Sequence, residues 1–175
     1  WVWVMGLVHV NLEPAVEFGS GDEAEIIELI DDSIAVGMLT QVKFKTGKRL
    51  NMREITEKAH HHGCLIILGR VYGAGSLPVW LDACQDDFAV GCGYKYLNGG
   101  PGAPAFIYVA ERHQTQYRQP LQGWMGHANP FTFDPDYQAP SSIKQNLVGT
   151  PSIVSMSLLD AALDSFEHTN METIA

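Results

Sequence analysis

Residues 91–106 read GCGYKYLNGGPGAPAF and contain one lysine, Lys95, among aromatic residues and glycines. An apolar run precedes this stretch and another follows it, which places the lysine in a tight turn between two buried strands. A lysine that is partly desolvated in such a turn can lose its proton and attack a carbonyl carbon. The glycines allow the backbone to approach a bulky planar ligand. The residues alone therefore predict either a reactive lysine or a surface turn with a solvated lysine.

The rest of the chain alternates apolar runs with helical patterns. Strands are predicted at 33–40, 64–68, 88–92 and 105–109, and helices at 22–30, 52–61, 111–117 and, as an amphipathic helix, 153–166. Strands that are continuous apolar runs indicate a sheet buried on both faces, and hence an α/β layer fold. Residues 118–150 are rich in Pro, Gly, Gln and aromatic residues, which predicts a long ordered loop of the kind that carries sites.

Length and charge limit the classes of function. The chain has 175 residues, enough for one domain with a core, and its formal net charge of -9 argues against nucleic acid or an anionic membrane as partner. No apolar run reaches the roughly 20 residues that a membrane span needs. Residues 1–8, WVWVMGLV, predict a buried strand rather than a signal peptide. Both ends of the sequence interrupt an apolar pattern, so we expect a fragment of a longer protein.

Cysteines and charged clusters suggest no separate site. Three scattered cysteines without a CxxC pair predict reduced thiols in a cytoplasmic protein. Residues 60–62 are three histidines, but consecutive helical residues point about 100° apart, so we expect a helix end and no metal site. The pair Asp86-Asp87 is interpreted as capping or solvating the start of a strand. A basic cluster is interpreted as a solvated turn, with phosphate contact as the alternative: Lys43, Lys45, Lys48 and Arg49.

Several segments, in the same order, resemble those of bacterial kynureninases, which bind pyridoxal 5′-phosphate (PLP). They are TQVKFKTG at 40–47, DDFAVGC at 86–92, the lysine segment, QPLQGWMGH at 119–127 and GTP at 149–151. The resemblance extends over nearly the whole chain and implies the three-layer α/β/α large domain of fold-type I, aspartate-aminotransferase-like PLP enzymes, with a mostly parallel sheet. Residues 1–175 would be a central part of that PLP-binding domain, without the family's N-terminal part and small C-terminal domain.

The resemblance also implies roles for individual residues. Lys95 would be the Schiff-base lysine and proton carrier, and Tyr94 would hydrogen-bond the cofactor phosphate. Trp124 and Thr150 would reach the phosphate in the neighbouring subunit, which implies a homodimer. The alternatives are a core aromatic for Tyr94, a loop anchor for Trp124 and a helix N-cap for Thr150. His127 is expected either near the active site or in a structural role.

One segment departs from the family. Kynureninases have a D-x-A-H stretch whose aspartate pairs with the pyridine nitrogen of PLP, but Gly69 stands at the aspartate position and Tyr72 at the histidine position. The lost charged hydrogen bond predicts a fall in rate of roughly 10² or more. Arg70 does not replace it, because adjacent strand residues face opposite ways. Phe44 stands where the family usually has tyrosine.

The resemblance implies a PLP-dependent C–C hydrolase that converts L-kynurenine or 3-hydroxykynurenine to anthranilate and L-alanine. This reaction belongs to the kynurenine pathway of tryptophan catabolism and NAD biosynthesis. A catalytically impaired homologue is the first alternative, because of Gly69 and Tyr72. A related class-V PLP enzyme such as a cysteine desulfurase-like protein is the second, although the GWMGH loop counts against it. The 175-residue chain on its own is expected to be inactive.

Overall fold

A computed structural model describes residues 22–174, so the strand expected at 1–8 lies outside the described residues. Nine helices and strands form this part of the chain. They are, in order, α1 (Glu23–Leu29), β1 (Val36–Thr40), α2 (Met52–His61), β2 (Leu65–Gly69), β3 (Phe88–Cys92), β4 (Ala105–Val109), α3 (Glu111–Gln114), α4 (Ile153–Leu163) and α5 (Met171–Ile174).

The four strands form one mixed sheet in the order β1-β2-β3-β4. β1, β2 and β3 run parallel, and β4 returns antiparallel beside β3. Gly69 pairs with Thr40 on one side and with Val90 on the other, so the three parallel strands end at the same edge. The predicted α/β class with a mostly parallel sheet is confirmed.

The core lies between α2 and one face of the sheet. Ile55 and Ala59 of α2 are fully buried together with Ile66 and Leu68 of β2. Alternate residues of a strand point to opposite faces, so Gly69 faces away from this core. Arg70, whose N–H continues the ladder by donating to the Val90 carbonyl at 2.8 Å, falls in register with Ile66 and Leu68.

Most predicted elements are confirmed, but several bounds differ and α5 was not predicted. The strand predicted from residue 33 begins at Val36, and the helix after β4 ends at Gln114, not at 117. The long loop is confirmed, and it contains three 3-10 turns, at Trp124–Gly126, Pro130–Thr132 and Ile143–Asn146. No helix in the part of the chain that the structure describes combines the length and apolar character that a bilayer crossing requires.

The prediction that α4 is amphipathic is wrong. Ile153, Val154 and Leu158 are 68%, 72% and 60% exposed, and the helix has no buried residue. The apolar positions follow one another too closely to form a single stripe, so they extend around the helix. One of them, Leu159, packs against Gly93 and Gly99 of the lysine turn.

The interpretation of Asp86 and Asp87 as solvated is also wrong, since both side chains are buried. Asp86 pairs with buried Arg70. The Asp87 carboxylate accepts hydrogen bonds from the Ile66 N–H, His60 and His113 at 2.7–2.8 Å, and from Arg112 at 2.7 Å. The chain therefore pairs both carboxylates internally at the start of β3, although Oδ1 of Asp86 accepts no hydrogen bond within the described residues.

The three consecutive histidines point to different partners. His60 contacts Asp87, whereas His62 contacts Asp32 at 2.6 Å and accepts from Lys58 at 2.8 Å. His61 packs edge-on against His62. These separate contacts stabilise the end of α2 against its neighbours.

Candidate active site

The turn that carries Lys95 begins where β3 ends, at the edge where the parallel strands terminate. The Gly93 N–H donates to the Pro104 carbonyl at 2.9 Å, and the Gly99 N–H donates to the Gly93 carbonyl at 2.9 Å. These two bonds close the turn on itself before the chain enters β4. The carboxyl edge of a parallel sheet is where α/β folds place ligands, so the backbone presents the lysine at the expected position.

Tyr72 is brought directly to Lys95. The Lys95 amine lies 3.8 Å from the centre of the Tyr72 ring and 5.4 Å from that of Tyr94. The loop after β2 can sit this close because Gly75 adopts a φ of +86°, and a Cβ there would come within 2.3 Å of the Tyr96 carbonyl oxygen. Gly75 thus joins the Tyr72 loop to the lysine turn.

The pKa of Lys95 moves opposite to the direction expected from a desolvated turn. Burial alone would lower the pKa, but the contacts with Tyr72 and Tyr94 outweigh it and hold the pKa above its ordinary value of 10.5. Hydrogen bonding and charge interaction with the two tyrosine side chains favour the ammonium form. This direction describes a charged amine, so reaction of Lys95 with a carbonyl carbon first requires loss of its proton.

Gly69 ends β2 on the sheet face opposite the α2 core. A Cβ built on it would meet the Leu39 carbonyl oxygen at 3.4 Å and Thr40 at 3.6–3.7 Å, which are ordinary contacts. Gly69 also has no positive φ. Neither space nor backbone conformation requires glycine here, so the position has room for a side chain but supplies no acid. Arg70 points into the core and pairs with Asp86, as the alternation of strand residues predicts.

This arrangement partly fits PLP. The Lys95 amine can bind an aldehyde, and the adjacent Tyr94, 47% exposed, has a hydroxyl available for a phosphate. At the family's aspartate position, Gly69 offers no side chain that could pair with a pyridine nitrogen. The residues therefore fit the cofactor's aldehyde and phosphate, and do not fit a protonated ring.

Trp124 and Thr150 lie in two loops that pack against each other. Gly123 approaches Val148 so closely that a Cβ would lie 1.6 Å from the Val148 carbonyl oxygen. Trp124 is 48% exposed and packs edge-on against Phe131 at 5.9 Å. Within residues 22–174 no hydrogen bond, ion pair or ring contact joins Lys95 to Trp124 or Thr150.

A cleft of about 560 Å³ opens beside Trp124 and is lined also by Phe133, Tyr137 and His127. His127 is buried, its Nδ1 accepts from the Asn129 N–H at 2.8 Å, and its Nε2 donates to the Asp136 carbonyl at 3.2 Å. Both ring nitrogens are thus used by the backbone. This supports the structural role for His127.

Some features of the site and its surroundings were not found from the sequence, and the contact between Lys95 and Tyr72 is one of them. Leu159 supports the lysine turn although α4 lies far along the chain. The buried Arg70–Asp86 pair was also missed. A signal existed for the pair, because an arginine that directly follows an apolar strand needs a carboxylate nearby.

Comparisons with known proteins agree with this geometry. Residues 6–175 match the model of the family described as aminotransferase class-V. The chain is 45% identical over 161 residues to a kynureninase of Deinococcus radiodurans, covering 92% of this chain and 39% of the relative. It is 43% identical over 153 residues to a kynureninase of Burkholderia mallei, covering 87% and 37%. The chain thus spans about two fifths of the length of these curated relatives.

Solved structures with the same fold include a cystine C–S lyase in complex with cysteine persulfide, with a TM-score of 0.74 at 20% identity over 87% of this chain and 41% of that one. A variant of that lyase carries glycine covalently linked to its PLP cofactor. A cysteine desulfurase of Thermococcus onnurineus gives a TM-score of 0.71 at 20% identity, covering 89% and 40%. At these identities the likeness concerns the fold alone, and it confirms the predicted fold class.

Proposed function

Because the chain belongs to the class-V aminotransferase family, we propose that the protein is a PLP-dependent enzyme of the kynureninase type. It hydrolyses L-kynurenine or 3-hydroxykynurenine to anthranilate and L-alanine. The observation that carries the proposal is the Lys95 amine at the carboxyl edge of β3, against Tyr72, in a chain 45% identical to a named kynureninase. We place the protein in the cytoplasm, as its reduced cysteines suggest.

When bound, PLP supplies an aldehyde that captures the substrate amine and a ring that withdraws electrons from its Cα. Lys95 would hold the aldehyde carbon and would carry the Cα proton of the substrate. Tyr94 would donate its hydroxyl to the phosphate. Trp124 and Thr150 would contact the phosphate in the neighbouring subunit of a homodimer, which is compatible with their lack of described contact with Lys95.

The raised pKa of Lys95 has a consequence for cofactor binding. An amine must be deprotonated to attack an aldehyde, and the Tyr72 and Tyr94 rings favour the charged form. Binding of the cofactor therefore requires the amine to leave the Tyr72 ring face. Tyr72, at the family's histidine position, competes with the cofactor for Lys95.

The test is the complete protein, loaded with PLP and mixed with L-kynurenine, with anthranilate fluorescence as the readout. We expect anthranilate to form, together with a visible absorbance band from the cofactor that is absent in Lys95→Gln. L-cysteine with sulfide detection is run in parallel. Release of sulfide without anthranilate would assign the protein to the desulfurase-like alternative. Absence of the cofactor's absorbance band with either substrate would mean that the protein shares the family's fold but not its chemistry.

A second candidate is an impaired kynureninase homologue, and the empty position at Gly69 favours it. Gly69→Asp should restore the missing carboxylate without backbone strain, because a Cβ there makes only ordinary contacts. We expect kcat for kynurenine to rise by roughly 10². Gly69→Asn is the matched control, because it has the same shape and no charge.

The pair of variants separates the two candidates. If only Gly69→Asp produces anthranilate, the natural protein is a disabled kynureninase. If the natural protein is already active and Gly69→Asp adds nothing beyond Gly69→Asn, the ring nitrogen needs no carboxylate in this site.

A further inference from the structure

Three hydrogen-bonded side chains lie at the end of α2, away from the lysine turn. Lys58 belongs to the last turn of α2, His62 follows its last residue, and Asp32 lies in the turn before β1. β2 begins at Leu65, so these side chains lie near the amino edge of the parallel strands. Lys95 lies beyond the opposite edge. The cluster is therefore separate from the candidate active site.

The hydrogen bonds assign the proton on the imidazole of His62. An ammonium group can only donate, so Lys58 Nζ donates to His62 Nε2 at 2.8 Å. A doubly protonated ring would place a donor against this donor. The ring proton therefore lies on Nδ1, which donates to the Asp32 carboxylate at 2.6 Å. The basic nitrogen of a neutral imidazole thus faces the lysine amine.

Neighbouring residues hold this arrangement. The Asp31 carboxylate accepts from the Ser33 N–H at 2.8 Å and from the Ser33 hydroxyl at 2.5 Å, which fixes the turn that carries Asp32. The ring of His61 packs edge-on against that of His62, with 5.3 Å between the ring centres. The imidazole is therefore held from both sides, by a turn and by a second ring.

An imidazole affects a lysine differently from a carboxylate. Lys48 is bound to the Asp22 carboxylate, and this bond holds the pKa of Lys48 above its ordinary value of 10.5. Imidazole, with an ordinary pKa of about 6.5, is a far better proton acceptor than an aspartate carboxylate, at about 3.9. A carboxylate behind the imidazole stabilises the imidazolium that forms. Carboxylate, imidazole and nucleophile in series is the arrangement that activates a nucleophile.

We propose that Lys58 is a site of acylation by activated acyl compounds, with His62 as general base and Asp32 as the residue that positions it. Lys58 is half-buried and the Asp32 side chain is 90% exposed, so a reagent can approach from solvent. This site does not depend on the proposed reaction at Lys95.

The acyl donor is an acyl phosphate or a thioester, because both present a carbonyl carbon with a good leaving group. The uncharged amine of Lys58 attacks that carbon, and the C–O or C–S bond breaks. Phosphate or thiolate leaves with the bonding electrons. The proton released by the nitrogen passes to His62 Nε2 and from there to solvent. An amide results, and Lys58 loses its charge.

Acetylation of the complete, PLP-loaded protein tests the proposal, with acetyl phosphate and acetyl-coenzyme A used separately. Mass spectrometry gives the rate at Lys58 and at Lys144, which is half-buried to the same class and serves as the reference. We expect Lys58 to react at least about five times faster than Lys144 in the folded protein, and at about the same rate in urea. A preference with one reagent alone would identify the donor class. No preference with either reagent would overturn the proposal.

Three variants separate general-base catalysis from simple exposure. His62→Gln keeps an oxygen that can accept from Lys58 but has no basic nitrogen, so we expect the preference to disappear. Asp32→Asn should reduce it about two- to threefold. His61→Gln is the matched control and should retain it, because no hydrogen bond joins His61 to Lys58 within residues 22–174. An unchanged preference in His62→Gln, or an equal loss in His61→Gln, would overturn the proposal.

The tautomer of His62 gives an independent measurement. Long-range ¹H–¹⁵N spectra of the complete protein, labelled at histidine, show which ring nitrogen carries the proton, and His62→Gln assigns the signal. We expect a proton on Nδ1 and none on Nε2 at neutral pH. A proton on Nε2, in the other tautomer or in an imidazolium, would leave no base facing Lys58 and would overturn the proposal.

Discussion

The two ends of β3 are built in opposite ways. At its start, Asp86 and Asp87 are buried and contact arginine and histidine side chains from three other segments of the chain. Beyond its end, the Lys95 amine lies against the rings of Tyr72 and Tyr94, and Tyr94 is half exposed. The five residues of β3 thus separate a buried ionic cluster from a lysine that forms no ion pair within the described residues.

This contrast separates the buried charges that stabilise the fold from the end of β3 at which we propose the chemistry. Charges that must stay buried are paired at the amino end, because an unpaired buried charge is strongly destabilising. The carboxyl end keeps an amine whose contacts are weak enough to exchange for a ligand. Substitutions at the two ends should therefore affect different measurements, and four predictions test that separation, from the largest effect to the smallest.

Lys95→Gln should abolish most activity and leave stability almost unchanged. Loss of a catalytic proton carrier costs about 10²–10⁴ in rate, whereas a cation–π contact contributes about 0.5–1 kcal/mol. Kynurenine turnover and urea unfolding of the complete protein measure the two effects. A fall of several kcal/mol in the free energy of unfolding would mean that Lys95 is structural. It would contradict the claim that the two ends of β3 have different roles.

Asp87→Asn should lower the free energy of unfolding strongly and change activity little. Removing the shared negative charge leaves His60, His113 and Arg112 without their partner, and breaking a buried ion pair costs about 3 kcal/mol or more. Urea unfolding measures the loss. Asp160→Asn, on the exposed surface of α4, is the control and should change the free energy of unfolding little. Equal effects of the two substitutions would contradict the role assigned to Asp87.

Acid should destabilise the cluster around Asp87 at the start of β3. Burial raises the pKa of Asp87, but bonds from His60, the Ile66 N–H, His113 and Arg112 outweigh it and lower the pKa from 3.8 to about 2. A depressed folded pKa contributes stability above the unfolded value, here roughly 2 kcal/mol, which is lost as the pH falls from about 4 through about 2. Unfolding measured across this range should show the loss in the natural protein. The Asp87→Asn variant should lack that component, and equal acid slopes in both would contradict the assignment.

Arg112→Gln should have the smallest effect. Arg112 is 45% exposed, so its pairing with Asp87 is screened by water and contributes about 0.5 kcal/mol. Thermal unfolding of this variant beside Asp87→Asn separates the buried acceptor from one of its exposed donors. A loss of stability as large as that of Asp87→Asn would mean that Arg112, and not the buried carboxylate, accounts for most of the cluster's stabilising effect.

The sequence predicted the strands and the helix between them well, because their patterns are local. α2 was predicted at its observed bounds, and so were β3 and β4. Alternation along β2 also predicted correctly that Gly69 and Arg70 face opposite sides of the sheet. Lys95 was found from its motif, and the contact with Tyr72 was not, because the left-handed conformation of Gly75 brings the two loops together.

The errors concern partners that lie far apart in the sequence. In the sequence, Asp86 and Asp87 look like polar residues at the start of a strand. Their burial is possible because Arg70, His60 and Arg112 contact them in the folded chain. The contact of Lys95 with Tyr72, and with it the raised pKa of Lys95, was missed for the same reason, since the Tyr72 ring comes from another loop. The surface of α4 was misjudged because its apolar residues were assumed to face the core of this chain.

The antiparallel return of β4 has a consequence for how the chain assembles. β3 and β4 are joined by the short segment 93–104, whereas β1 and β2 are joined by a crossover that includes all of α2. The entropy lost in closing a loop grows with its length, and contacts between near neighbours form faster. The hairpin that holds Lys95 thus has the shortest connection between paired strands of the described sheet. We therefore expect its turn to form before the parallel strands find their register.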